Sequence, residues 1–109
     1  MKLTELEPQF LRIEPDGHYP YVSTLAEAQG IEFLCPKCFR EHDGPAGTHI
    51  VVVWFRDRGV PSDELPLPGR WGVSGSGFED LSITPSISLE NSTKVGCQWH
   101  GFVTNGEAT

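Results

Sequence analysis

The chain has 109 residues, 38% of them hydrophobic and 21% charged, with a formal net charge of -7 at pH 7. That length reads as one domain over residues 1–109 with a modest core, and 12 glycines and 9 prolines favour short strands and turns over long helices. The acidic balance argues against binding a phosphate backbone, so nucleic acid is not an expected partner, and no apolar run reaches the roughly 18 residues that a membrane span needs.

The first residues, MKLTELEPQFLRIEP, hold no apolar stretch of the kind a secretory leader carries, so a cytoplasmic location is expected. QFLRIE at 9–14 predicts a short strand, and PDGHYP at 15–20 a turn. Thr24 and Glu27 have capping-box spacing and Gly30 suits a helix stop, which predicts one short helix over roughly 24–29. Ile31 to Leu34 then predicts a strand running into Cys35-Pro36-Lys37-Cys38. REHDGPAGT at 40–48 reads as a loop, chemistry that breaks any helix after the cysteine pair.

HIVVVWF at 49–55 is almost continuously apolar and β-branched, which predicts a central strand covered on both faces. RDRGVPSDELPLPG at 56–69 predicts a long exposed loop. A strand begins near Arg70-Trp71-Gly72-Val73, SGSG at 74–77 has flexible linker chemistry, and Leu81-Ser82-Ile83-Thr84 alternates like a half-buried strand stopped by Pro85. Ser86 to Leu89 continues the alternation, and Asn91-Ser92-Thr93 reads as a plain turn. Lys94-Val95 leads into Cys97-Gln98-Trp99-His100-Gly101, and Phe102-Val103 leads out. The expected fold is therefore mainly β: short antiparallel strands, one short helix and two metal-binding knuckles.

The knuckles carry the chemistry. Cys35 and Cys38 stand three apart, as do Cys97 and His100, and together they use every cysteine in the chain. Donors at i and i+3 across a turn can reach one ion, so two facing knuckles give a closed Cys₃His set of Cys35, Cys38, Cys97 and His100. Thiolate and imidazole donors select zinc over magnesium or calcium. Zinc there would supply folding free energy, on the order of 10 kcal/mol in finger peptides. A Rieske-like iron–sulfur centre is the alternative, because Cys97, His100 and Gly101 fit its C-x-x-H-G half; CPKC does not fit the C-x-H half. A redox reading of CPKC calls for a βαβ setting.

No catalytic residue is expected. The chain has no HExxH and no HxE to pair with CxxC. The glycines around Ser74 and Ser76 miss the G-x-S-x-G spacing, and no Ser-His-Asp order stands out. His42 beside Asp43 marks a second place where an enzyme site could sit, near the Cys38 knuckle. Trp99, between two expected ligands, would shield the metal or contact a partner.

CPKC, Trp71-Gly72-Val73, Leu81 through Thr84-Pro85-Ser86-Ile87 and Cys97-Gln98-Trp99-His100-Gly101-Phe102 occur in an order that resembles a family of small bacterial and phage proteins of unknown function. Some members carry the label ammonia monooxygenase, although that enzyme is a membrane protein and no segment here is apolar enough to span. The resemblance implies a small zinc-binding domain, phage- or prophage-borne, with no established activity. The Thr84–Ile87 stretch would then bind a ligand near the metal or form an edge strand. The expected role is a zinc-stabilised module that binds another protein, with the electron-transfer protein and an enzyme with an unrecognised site as alternatives.

Overall fold

The computed structural model describes residues 1–64, 70–88 and 99–109. The Asn91–Thr93 turn, Lys94-Val95 and Cys97 lie outside the described residues. The apolar run Gly30–Leu34 forms β3, buried at every position but Glu32. Burial on both parities means that both faces of the strand are covered, and as a central strand β3 has a neighbour along each edge. β1 (Gln9–Leu11) supplies one and β4 (Ile50–Trp54) the other, both antiparallel, and β2 (Tyr21–Val22) completes a sheet of order β2-β1-β3-β4. Gly30 is required here, because any side chain would run into the Trp54 ring that lies across it.

A second antiparallel sheet holds β5 (Gly72–Ser74), β6 (Ser82–Ser88), β7 (His100–Thr104) and β8 (Glu107–Ala108), in chain order. The sheets share one apolar core that includes Phe10, Ile31, Phe33 and Val53 from the first and Ile83, Ile87 and Val103 from the second. Phe10 stacks on Phe78 at 4.2 Å, and Phe33 meets Trp99 edge to face at 6.1 Å. The expected mainly-β fold of short antiparallel strands with one short helix is what the chain adopts. No helix among the described residues is long and apolar enough to cross a membrane.

Several local expectations change. The helix α1 occupies Pro36–His42, starting within CPKC and running into the first three residues of the stretch read as a loop, while residues 24–29 give only a 3-10 turn at Leu25–Glu27. Proline is tolerated in the first helical turn because its missing N–H would have had no partner there. The breakers act one turn later: Asp43 enters the left-handed region at φ 53° and closes the helix onto Phe39. Thr24 does cap its turn, accepting from the Glu27 N–H at 3.3 Å.

β4 is an edge strand and not a central one, and its cover is incomplete at the start: Ile50 is 53% exposed, whereas Val53, Trp54 and Phe55 are fully buried. Pro85 does not stop its strand. β6 runs through it, and SGSG is a fixed turn in which Asp80 Oδ1 accepts from the N–H groups of Ser76 and Gly77. The described part of the 56–69 stretch is also held. Arg58 donates to the carbonyls of Leu25 and Ala28, and Gln29 donates back to the Arg58 carbonyl.

Candidate active site and cysteine corner

Strand pairing in the second sheet builds the first site. Ile83 pairs with Val103, and Ile87 pairs with Gly101. Three residues of β6 (Thr84, Pro85 and Ser86) therefore stand opposite the single residue Phe102 of β7, which is a bulge. The Thr84–Pro85 peptide within it is cis. A bulge bends its strand and re-aims side chains. In this one Ser86 turns toward His100, although the regular cross-strand partner of His100 is Ser88. Ser86 Oγ lies 2.9 Å from His100 Nε2.

Neighbouring groups fix both members of this pair. The Trp71 indole N–H donates to the Ser86 carbonyl at 3.2 Å, holding the bulge from the β5 side. The Phe102 ring lies 6.4 Å from the imidazole at an interplanar angle of 25°. On β7 the exposed and buried positions alternate strictly, so His100 and Phe102 share the solvent face. Gly101, between them, must stay bare: a side chain would collide with the Thr109 carbonyl and the Trp99 ring. Ser86 is half-buried and His100 exposed, so the hydroxyl is held by the fold beside a solvent-facing imidazole.

The chemistry of this pair is specific. A serine hydroxyl is a weak nucleophile until a base within about 2.6–3.2 Å takes its proton. An imidazole nitrogen at that distance meets the geometric requirement of acyl transfer.

The second site lies at one end of the other sheet. The Cys35 N–H donates to the His49 carbonyl at 3.0 Å, one step beyond the Leu34–Ile50 rung. Cys35 precedes α1, and Cys38 sits in its first turn. The side-chain donor atoms of Cys35, Cys38 and His49 all lie within 4.8 Å of one another, close enough to bind a metal ion.

Of the four ligands expected from the sequence, the structure places Cys35 and Cys38 together, puts His100 beside Ser86, and leaves Cys97 outside the described residues. His49, read only as the start of a strand, lies with the two cysteines. Trp99 is 3% exposed and packs on Phe33, so it is a core residue and not a surface contact. His42 and Asp43 close α1 with both side chains exposed and stand outside the cysteine group. A helix does follow CPKC, but the strands flanking it, β3 and β4, are antiparallel, which is not a βαβ unit.

A family model described as a bacterial ubiquitination-like system serine protease (BubE) matches residues 5–109. The chain belongs to that family. Neither the curated proteins nor the solved structures gave a match. Membership in the BubE family overturns the expected role, a structural-zinc accessory module of unknown function, and the electron-transfer alternative with it. The G-x-S-x-G elbow weighed around residues 72–77 does not describe this pair. Ser86 and His100 lie on neighbouring strands and meet only through a bulge. The one available signal was the Ser in Thr84-Pro85-Ser86-Ile87, with the His of C-x-x-H assigned to the metal.

Proposed function

We propose that this chain is a serine hydrolase that cleaves a peptide bond in a protein of a bacterial ubiquitination-like system, with Ser86 as nucleophile and His100 as base. The observation that carries this reading is the 2.9 Å contact between Ser86 Oγ and His100 Nε2, in a chain whose family is described as a serine protease. His100 takes the hydroxyl proton while Oγ attacks the substrate carbonyl carbon, giving a tetrahedral adduct. On collapse the C–N bond breaks, and the protonated imidazole gives its proton to the departing amine. Water, deprotonated by the same nitrogen, then hydrolyses the acyl-Ser86 ester and frees both groups. Partners of such an enzyme are the substrate proteins of that system.

The zinc expected from the sequence belongs, in the same proposal, to the cysteine corner and takes no part in acyl transfer. Cys97 is the further donor that the sequence offers it.

The test is labelling with a fluorophosphonate probe, followed by peptide mapping. Labelling at Ser86 that disappears in Ser86→Ala, and drops sharply in His100→Ala, is the expected result. A folded protein that stays unlabelled, or labels at another serine, would sink the assignment.

A further inference from the structure

The geometry points to a metal site whose protein ligands include His49 together with Cys35 and Cys38, and exclude His100. The ligand is a borderline-soft divalent cation of the zinc class. It is the division of labour between the two histidines that is new: one binds the ion, and the other is left to Ser86.

Burial is the first support. Cys35 is 0% and Cys38 8% exposed, and the His49 Nε2 atom is buried with no hydrogen-bond partner. Buried polar nitrogens in folded proteins are nearly always satisfied. A lone pair facing two sulfurs is satisfied by a cation shared with them.

Orientation is the second. The other ring nitrogen, Nδ1, lies 3.4 Å from the Ile50 carbonyl. A proton on Nδ1 donated to that carbonyl leaves Nε2 unprotonated, which is the tautomer that binds metal. Donation from the second ring nitrogen to a backbone carbonyl is how metal-bound histidines are usually held.

Distance is the third. A tetrahedral ion with Zn–S of about 2.3 Å and Zn–N of about 2.0 Å spaces its donors roughly 3.5–3.8 Å apart. The 4.8 Å ceiling observed here is within about an ångström of that spacing. Two thiolates and an imidazole disfavour magnesium and calcium, which take oxygen donors. His100 is elsewhere: its Nε2 is engaged by Ser86 on the second sheet.

The exclusion of His100 rests on the Ser86–His100 reading, whereas the His49 ligation does not. The closing experiment reads the ion and not the reaction. Full-length wild type and the variants His49→Ala, His49→Cys, Cys38→Ser, His100→Ala and Ser86→Ala are reconstituted with zinc and desalted. Metal content is then measured by mass spectrometry, and cobalt(II) replaces zinc for a visible spectrum. Wild type, His100→Ala and Ser86→Ala are expected to hold one equivalent. His49→Ala and Cys38→Ser are expected to lose it. His49→Cys, which restores a donor, is expected to keep the ion with a shifted cobalt spectrum; it also answers the question if His49→Ala fails to fold. Wild type that binds no zinc overturns the site. Full metal in His49→Ala with loss in His100→Ala would restore the ligand set read from the sequence. Loss of Ser86 labelling with metal unchanged would count against the hydrolase alone.

Discussion

Ser86 and His100 sit fourteen positions apart, and the hydrolysis proposed for them needs both as a pair. Deprotonating a serine needs a base in contact with it, so removing either partner removes the same step. Substitutions in such a unit are not additive. Ser86→Ala and His100→Ala should each lower kcat/KM by about a thousandfold or more, and the double variant should be no worse than the poorer single. A double variant whose loss equals the product of the two singles, in a hydrolysis assay on one peptide substrate, would mean that the residues act independently. The two histidines that matter differ in surroundings and not in residue type. His49 has a buried Nε2 and lies in a corner with two cysteines, and His100 lies on an open strand face.

Elements set those surroundings. β6 and β7 are out of step by two residues across the bulge, and that offset moves Ser86 into reach of His100. The turn before β6 holds the strand at its start. Asp80 accepts hydrogen bonds from the backbone of Ser76 and Gly77 and from the Ser76 hydroxyl, and the N–H of Ser76 is foremost in holding its carboxyl below the usual carboxylate range. A carboxyl lowered in the folded state contributes stability above its unfolded pKa, near 4, and loses it as pH falls through the folded value. Wild type should therefore lose thermal stability more steeply than Asp80→Asn on acidification below about pH 4. Parallel melting curves of the two proteins from pH 6 down to pH 3 would contradict the assignment; these bounds span about one unit below the ordinary Asp value and two above.

At the scale of the whole molecule, the two sites occupy different sheets that meet in one core. Phe33 lies two residues before Cys35, and its ring packs on Trp99, the residue before His100. The cysteine corner and the strand that carries His100 thus share a wall. A metal that binds only the folded chain stabilises it by mass action. Stripping zinc from loaded protein with a chelator should lower Tm by roughly 10 °C or more. An unchanged Tm after complete removal, verified by mass spectrometry, would deny the ion a structural role. The chain ends also meet: Lys2 bridges Glu107, and the Leu3 N–H donates to the Gly106 carbonyl, so β8 is closed by the first residues.

Composition and pattern by themselves determined the fold class. Frequent Gly and Pro, β-branched runs and short alternating segments leave little but short antiparallel strands, and those signals are local. The two cysteines of CPKC were legible for the same reason, since three-residue spacing near one turn brings their donors together wherever the chain goes. Tertiary structure alone decided the rest. Whether HIVVVWF is central or at an edge depends on how many strands the sheet holds beyond it. Which histidine meets the cysteines depends on the β3–β4 register, which puts residue 49 opposite residue 35. That Ser86 reaches His100 depends on a bulge that no window of sequence shows, because register is a relation between two strands and belongs to neither of them.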